Sequence, residues 1–230
     1  MNYEVFKKTN INTQFGTFER YAVKTHFVSI GEDFFDIFYK YVLPFVKSDD
    51  IVFCSEKIIA LCQGRVIKKE DMKLSFFSKF LSKFASRPKG GIGVAEPYKM
   101  QFAIDTVGLF KVLFASVVSG IAKLFGKKGV FYEIVGCEVS GLDGFYDKIW
   151  KEYGDIGILL PEKPDDVCFE IEKRFNVLSV IVDANDWGQE ILGKSRSIHF
   201  TNEQLVEFIK DNPAGQGREC TPFIIVRKNN

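Results

Sequence analysis

Apolar residues recur at intervals of three and four between positions 33 and 45, at Phe34, Ile37, Phe38, Tyr41, Val42 and Phe45. That spacing is one face of an α-helix. It returns in the lysine- and phenylalanine-rich segment that runs to Phe84, through Phe76, Phe77, Phe80 and Phe84. Other stretches are short unbroken apolar runs, namely IVFCS at 51–55, LSVIV at 178–182 and PFIIV at 222–226. They are too short for helices and read as buried strands. Positions 18–30 read as extended chain, 131–137 as a strand, and 154–160 as holding a short strand. A helix is expected to start near 100. Asp165 or Asp166 is expected to cap a helix running to 175, and Thr201 with Gln204 forms a capping box for a helix through 209. The window VLFASVVSGIAKLF, 112–125, is unbroken only from 112 to 122, between Lys111 and Lys123. It is too short to span a bilayer and is expected as a buried helix. RPKGGIGVAEP, 87–97, has three glycines within four positions and reads as a domain junction or a ligand loop. The mixture predicts an α+β fold.

Composition narrows the class. The chain has 230 residues, 46% apolar and 27% charged, enough for one large domain or two small ones. Its 24 phenylalanines supply core volume or face a partner. A net charge of +1 gives no general attraction to nucleic acid or to an anionic membrane, so neither is an expected partner. Basic residues gather between Lys68 and Lys89, as a solvated face or an anion site. MNYEVFKKTN has no apolar core, so no N-terminal signal sequence is read there. Cys54, Cys62, Cys137, Cys168 and Cys220 show no paired spacing and read as reduced, mostly buried thiols of a cytoplasmic protein.

Chemistry concentrates in three glycine-containing polar segments at expected strand ends: SEKIIALCQGRV, GCEVSGLDG and VDANDWGQEILG. Glycines there relieve crowding or bare backbone N–H groups to phosphate. Carboxylates there can hold magnesium or manganese. Asp143, Asp183 and Asp186 each have two readings, turn hydrogen bonding or metal ligation. Asp183, directly after an apolar strand, is the stronger ligand candidate, and Asn185 can supply a neutral ligand or fix the turn. Lys57 beside Glu56 is a surface ion pair or a phosphate contact. Glu138 is equally open. His26 and His199 are the only histidines and read as structural. GGIG is neither a Walker A nor a GxGxxG motif. Ser55 and Ser140 lack a nucleophile elbow.

DDIVFCSEKIIALCQGRV, GCEVSGLDG, DIGILLPEKPDD and VIVDANDWGQEILG, in this order, resemble the coenzyme F420-0:gamma-glutamyl ligase family. The resemblance covers most of the chain, from about Tyr21 through Gly193. GIGVAEPYKMQFAI and KLFGKKGVFYEIVG look like a bacterial branch of it. The resemblance implies a two-lobed α+β fold in an intimate homodimer. Residues 1–89 and 197–230 would form one lobe, and 90–196 an inserted lobe carrying the metal-binding aspartates. It also implies a ligase dependent on GTP or ATP and on Mn2+ or Mg2+. Such an enzyme joins the amine of glutamate to a small-molecule carboxylate through an acyl phosphate. Asp143 matches the aspartate of the family's AGxD segment, and Asp183 that of its SDT segment. Both become catalytic metal-ligand candidates, with Asp186 beside them, and Lys57 matches a phosphate-binding lysine. The chain departs from the family pattern at Leu61, Gln63, Glu138 and Ala184. These departures keep two alternatives open, a metal-dependent phosphoryl-transfer or hydrolytic enzyme and a non-enzymatic ligand-binding homodimer.

Overall fold

The computed structural model describes residues 5–85, 93–145, 153–185, 188–215 and 219–229. The chain is a mixed α+β protein in two compact units, Met1–Arg65 with Pro161–Asn230, and Val66–Leu160.

The first unit is built on a six-stranded sheet. Its strands are β1 (Val5–Thr13), β2 (Gly16–Val23), β3 (Ile51–Ser55), β7 (Leu178–Asn185), β8 (Gly188–Lys194) and β9 (Phe223–Lys228). The order is β1-β2-β9-β3-β7-β8, and β3–β7 is the one parallel pair in it. Helices α1 (Phe34–Tyr41), α2 (Glu56–Cys62) and α8 (Pro164–Phe175) contribute to the core on one face, and α9 (Asn202–Ile209) to the core on the other. Val52, Cys54, Ile181, Phe223 and Ile225 point to the first face. Ile51, Phe53, Val180, Val182, Ile224 and Val226 point to the second. The unbroken apolar runs are therefore strands buried on both sides.

Local signals account for several boundaries. Asp33 caps α1 by accepting from the Phe35 and Asp36 N–H groups, and Pro44 falls in the 3-10 turn that follows it. Thr201 and Gln204 make the expected capping box of α9. Helix α8 begins differently from expectation. Lys163, in the left-handed region, is its cap residue, and Asp165 and Asp166 lie in its first turn. The Asp165 carboxylate instead accepts from the Lys194 N–H of β8. This close crossing requires Gly193, because a Cβ there would meet the Pro164 carbonyl carbon at 2.6 Å.

The second unit has a small sheet, β4 (Val66–Lys68), β6 (Ile156–Ile158) and β5 (Asp143–Gly144), in the order β4-β6-β5. Around its own core lie α3 (Phe76–Phe84), α4 (Pro97–Val107), α5 (Leu109–Leu124), α6 (Val130–Val135) and α7 (Cys137–Ser140). The expected strand at 131–137 is helical. Gly129 and Gly136, both at positive φ, bracket α6, and Phe131, Val135 and Val139 recur at four-residue intervals into the core. The expected burial of 112–125 is also overturned, since α5 buries only Val112 and Ala115.

The unit boundaries differ from the expected lobes 1–89 with 197–230 and 90–196. Strand β7 hydrogen-bonds to β3 and β8, which keeps Asp183 in the first unit. Strand β4 pairs with β6, and α3 packs on α4, which puts 66–85 in the second. Most of the glycine-rich stretch, 87–92, lies outside the described residues.

Candidate functional site

The parallel register of β3 and β7 sets Ser55 beside Val182. Glu56, the first residue past β3, and Asp183, the next residue of β7, therefore follow the last pair of this register. Helix α2 starts at Glu56, and its second residue, Lys57, reaches both carboxylates. Lys57 Nζ is 3.5 Å from Glu56 Oε1 and 4.0 Å from Asp183 Oδ1. The Glu56 side chain is 5% exposed, whereas those of Lys57 and Asp183 are 38% and 32% exposed. Two of the three groups can thus meet a solute, and the third is a buried carboxyl group beside Lys57. The cluster sits at the carboxyl ends of parallel strands, where open α/β sheets receive ligands.

Strand β8 adds a residue that sequence reasoning passes over. Glu190 is the direct cross-strand partner of Asp183. Like charges placed opposite each other on a hairpin are unfavourable without a cation between or beside them. The signal for Glu190 lies in GQEILGK, the strand β8 itself. Asp183 itself sits within β7, not in a turn beyond it. Ala184 packs with the second-face core, on the side of the sheet away from Asp183.

Asp143 is in the second unit, on β5 opposite Ile158, and its carboxylate accepts from the Gly144 N–H at 3.1 Å. Asp186 lies outside the described residues, and Glu138 is exposed on α7. His26 meets Glu32 at 2.7 Å and Tyr41 at 3.0 Å, as a satisfied histidine of a loop following β2. Leu61 is buried in α2. Gln63 exchanges two hydrogen bonds with the Glu162 backbone, at 2.9 and 2.8 Å. These two departures from the ligase pattern therefore do structural work within the first unit.

All five cysteines are free thiols. Burial pushes Cys62 and Cys168 up to about 12 and holds Cys54 well above the ordinary thiol value, which makes these three poor nucleophiles. Cys137 is exposed.

Among the described residues no three His, Cys, Asp or Glu side chains converge as an all-protein metal cage. Magnesium bound with a nucleotide requires less: one or two carboxylates plus the phosphates themselves. The oxygen donor and partial exposure of Asp183 fit that role. The sequence matches no protein-family model and no curated protein.

Proposed function

We propose that the chain is a nucleotide-dependent, amide-forming ligase of the coenzyme F420-0:gamma-glutamyl ligase kind, working as a homodimer on a small carboxylate and an amine such as glutamate. The observation that carries this reading is the Glu56–Lys57–Asp183 cluster at the carboxyl ends of β3 and β7. The ordered motifs of the sequence support it independently.

In the reaction, an acceptor carboxylate oxygen attacks the terminal phosphorus of GTP or ATP. The nucleoside diphosphate leaves, and an acyl phosphate remains. The amine then attacks the acyl carbon, phosphate departs, and the amine loses a proton as the amide forms. Lys57 offers a point charge to phosphate oxygens. Buried Glu56 orients that ammonium, and Asp183 faces the same position from β7. Asp183 would hold Mn2+ or Mg2+, with Asp143 and Asp186 as further candidate ligands. The ion would supply charge neutralisation on the phosphates.

A second reading, a ligand-binding homodimer without turnover, is favoured by one specific observation. Leu61 and Gln63 stand where the ligase pattern has charged residues, and both are engaged in the fold. A phosphoryl-transfer or hydrolytic enzyme would use the same carboxylates but release product without glutamate.

Calorimetry with GTP and ATP, with and without manganese, tests the proposal on wild type and Asp183→Asn. Metal-dependent binding is expected, weakened at least about tenfold in the variant, the scale of a lost charged contact. Nucleotide cleavage that requires glutamate then separates ligation from hydrolysis. A folded wild type that binds neither nucleotide would overturn the ligase reading.

A further inference from the structure

We infer that the second unit carries a peripheral membrane-binding face whose partner is the surface of an anionic lipid bilayer. The inference stands apart from the ligase reading and uses none of its residues.

Helix α3 is turned inside out. Its buried residues are Ser78 and Ser82. Phe76, Phe77, Phe80 and Phe84 are exposed, the last to 73%. The outward rings form a ladder, with Phe76 stacked on Phe80 at 5.9 Å and Phe80 against Phe84 at 5.0 Å. Helix α5 is apolar on two sides. Val112 and Ala115 face the core, while Phe110, Phe114, Val117, Ile121 and Leu124 are exposed at intervals of four and three, followed by Phe125. Phe110 is 88% exposed and Leu124 85%. Soluble proteins seldom present such apolar surface without a partner.

Charge selects the partner. Residues 72–85 and 106–132 hold seven lysines, Lys73, Lys79, Lys83, Lys111, Lys123, Lys127 and Lys128, and no aspartate or glutamate. The whole chain is balanced at 31 basic and 30 acidic side chains, so the rest of it is net acidic. The near-zero total, which argues against membrane attraction, hides this segregation. Lysines beside exposed phenylalanines and leucines are the composition of helices that lie in the lipid interface. Lys79 and Lys83, on the same helix as the phenylalanine ladder, also line a depression with Ser82 and Pro97. A second copy docked on this face through a two-fold axis would bring the lysines of these two segments near their own counterparts. No single helix among the described residues is long and apolar enough to cross a membrane, and α4 and α5 are bent by 119° at their junction. By length and composition that bent pair passes together as a broken span or a re-entrant loop, and the contact inferred is one with the bilayer surface.

Cosedimentation of the full chain with vesicles of phosphatidylcholine plus phosphatidylglycerol, and of phosphatidylcholine alone, tests this. Binding to the anionic vesicles is expected to be at least about tenfold tighter, from several lysines acting together. It should weaken as salt is raised. Two variants should lose it with circular dichroism unchanged: Phe80→Ser with Phe114→Ser, and Lys111→Glu with Lys123→Glu. A wild type that stays in the supernatant with anionic vesicles, or binds both vesicles equally, overturns the inference. If the phenylalanine variant instead turns a dimer into a monomer and vesicles are ignored, the face is a subunit interface. Nucleotide calorimetry on the same variants reports on the ligase reading separately.

Discussion

Helices α1 and α3 have the same apolar spacing and opposite orientations. In α1 the stripe Phe34, Ile37 and Phe38 turns inward, where Phe38 stacks on Phe175 at 5.4 Å and meets Phe223 edge-on at 5.9 Å. In α3 the phenylalanines turn outward and two serines take the inner positions. Periodicity identifies a face without saying what that face meets. The first unit has a broad sheet, apolar on both sides, waiting to be covered. The second has three short strands, and its sheet gives α3 little to cover. Ser75 caps α3, and its own N–H donates to the buried Gln101 of α4 at 2.8 Å. The inner side of α3 thus carries Ser78 and Ser82, with Leu81 packed on the core of the second unit.

The largest expected effect breaks this symmetry directly. Phe38→Ala should cost about 3–5 kcal/mol, the range for emptying a packed aromatic site. Phe110→Ala, on the exposed stripe of α5, should stay within roughly ±0.5 kcal/mol. Urea unfolding of the two variants reads both values. Equal losses would mean that the exposed stripe is buried in solution and that the contrast between the units is not real.

A smaller effect sharpens the comparison from the other side. Ser78 is fully buried on α3. Ser78→Leu raises the helix's hydrophobicity yet should destabilise by about 1–3 kcal/mol, because added volume has nowhere to go at a close helix contact. A stabilised variant would show instead that the inner face of α3 is loosely packed and that its serines are incidental.

What the sequence discloses follows the same division between local and non-local causes. The strands at 51–55 and 223–226 and the capping box of Thr201 and Gln204 are legible because their signals lie within a few residues. The sheet-edge strands β1 and β8 escape notice, since VFKKTNINT and GQEILGK mix polar and apolar positions as edges do. Helix α6 is misread because its six residues, VFYEIV, are too few for their pattern to separate helix from strand. Lys57 and Asp183 stand out individually as candidates, but their meeting depends on the Ser55–Val182 register, which no local pattern encodes. Glu190 belongs to the same gap, since its place opposite Asp183 depends on recognising β8.

Buried charge is a further contrast between the units, and it makes the smallest prediction. Among the described residues, the charged side chains that are buried, Arg20, Asp50 and Glu56, all belong to the first unit. Arg20 binds the Asp211 carboxylate with both terminal nitrogens, one of them at 2.9 Å, and also donates to the Phe208 carbonyl. The hydrogen bond from Arg20 is the main reason the Asp211 carboxyl is held below its ordinary value of 3.8. A carboxyl lowered by folding stabilises the native state above its unfolded value, and the contribution disappears as pH falls through the folded value. The stability gap between wild type and Asp211→Asn should therefore be constant near neutrality and close below about pH 4. Its size is modest, because the Asp211 side chain is 57% exposed and water screens the pair. Urea midpoints measured from pH 7 down to about pH 3 follow the gap. If it persists unchanged in acid, the anchor of Arg20 is its bond to the Phe208 carbonyl, and the carboxylate contributes nothing of its own.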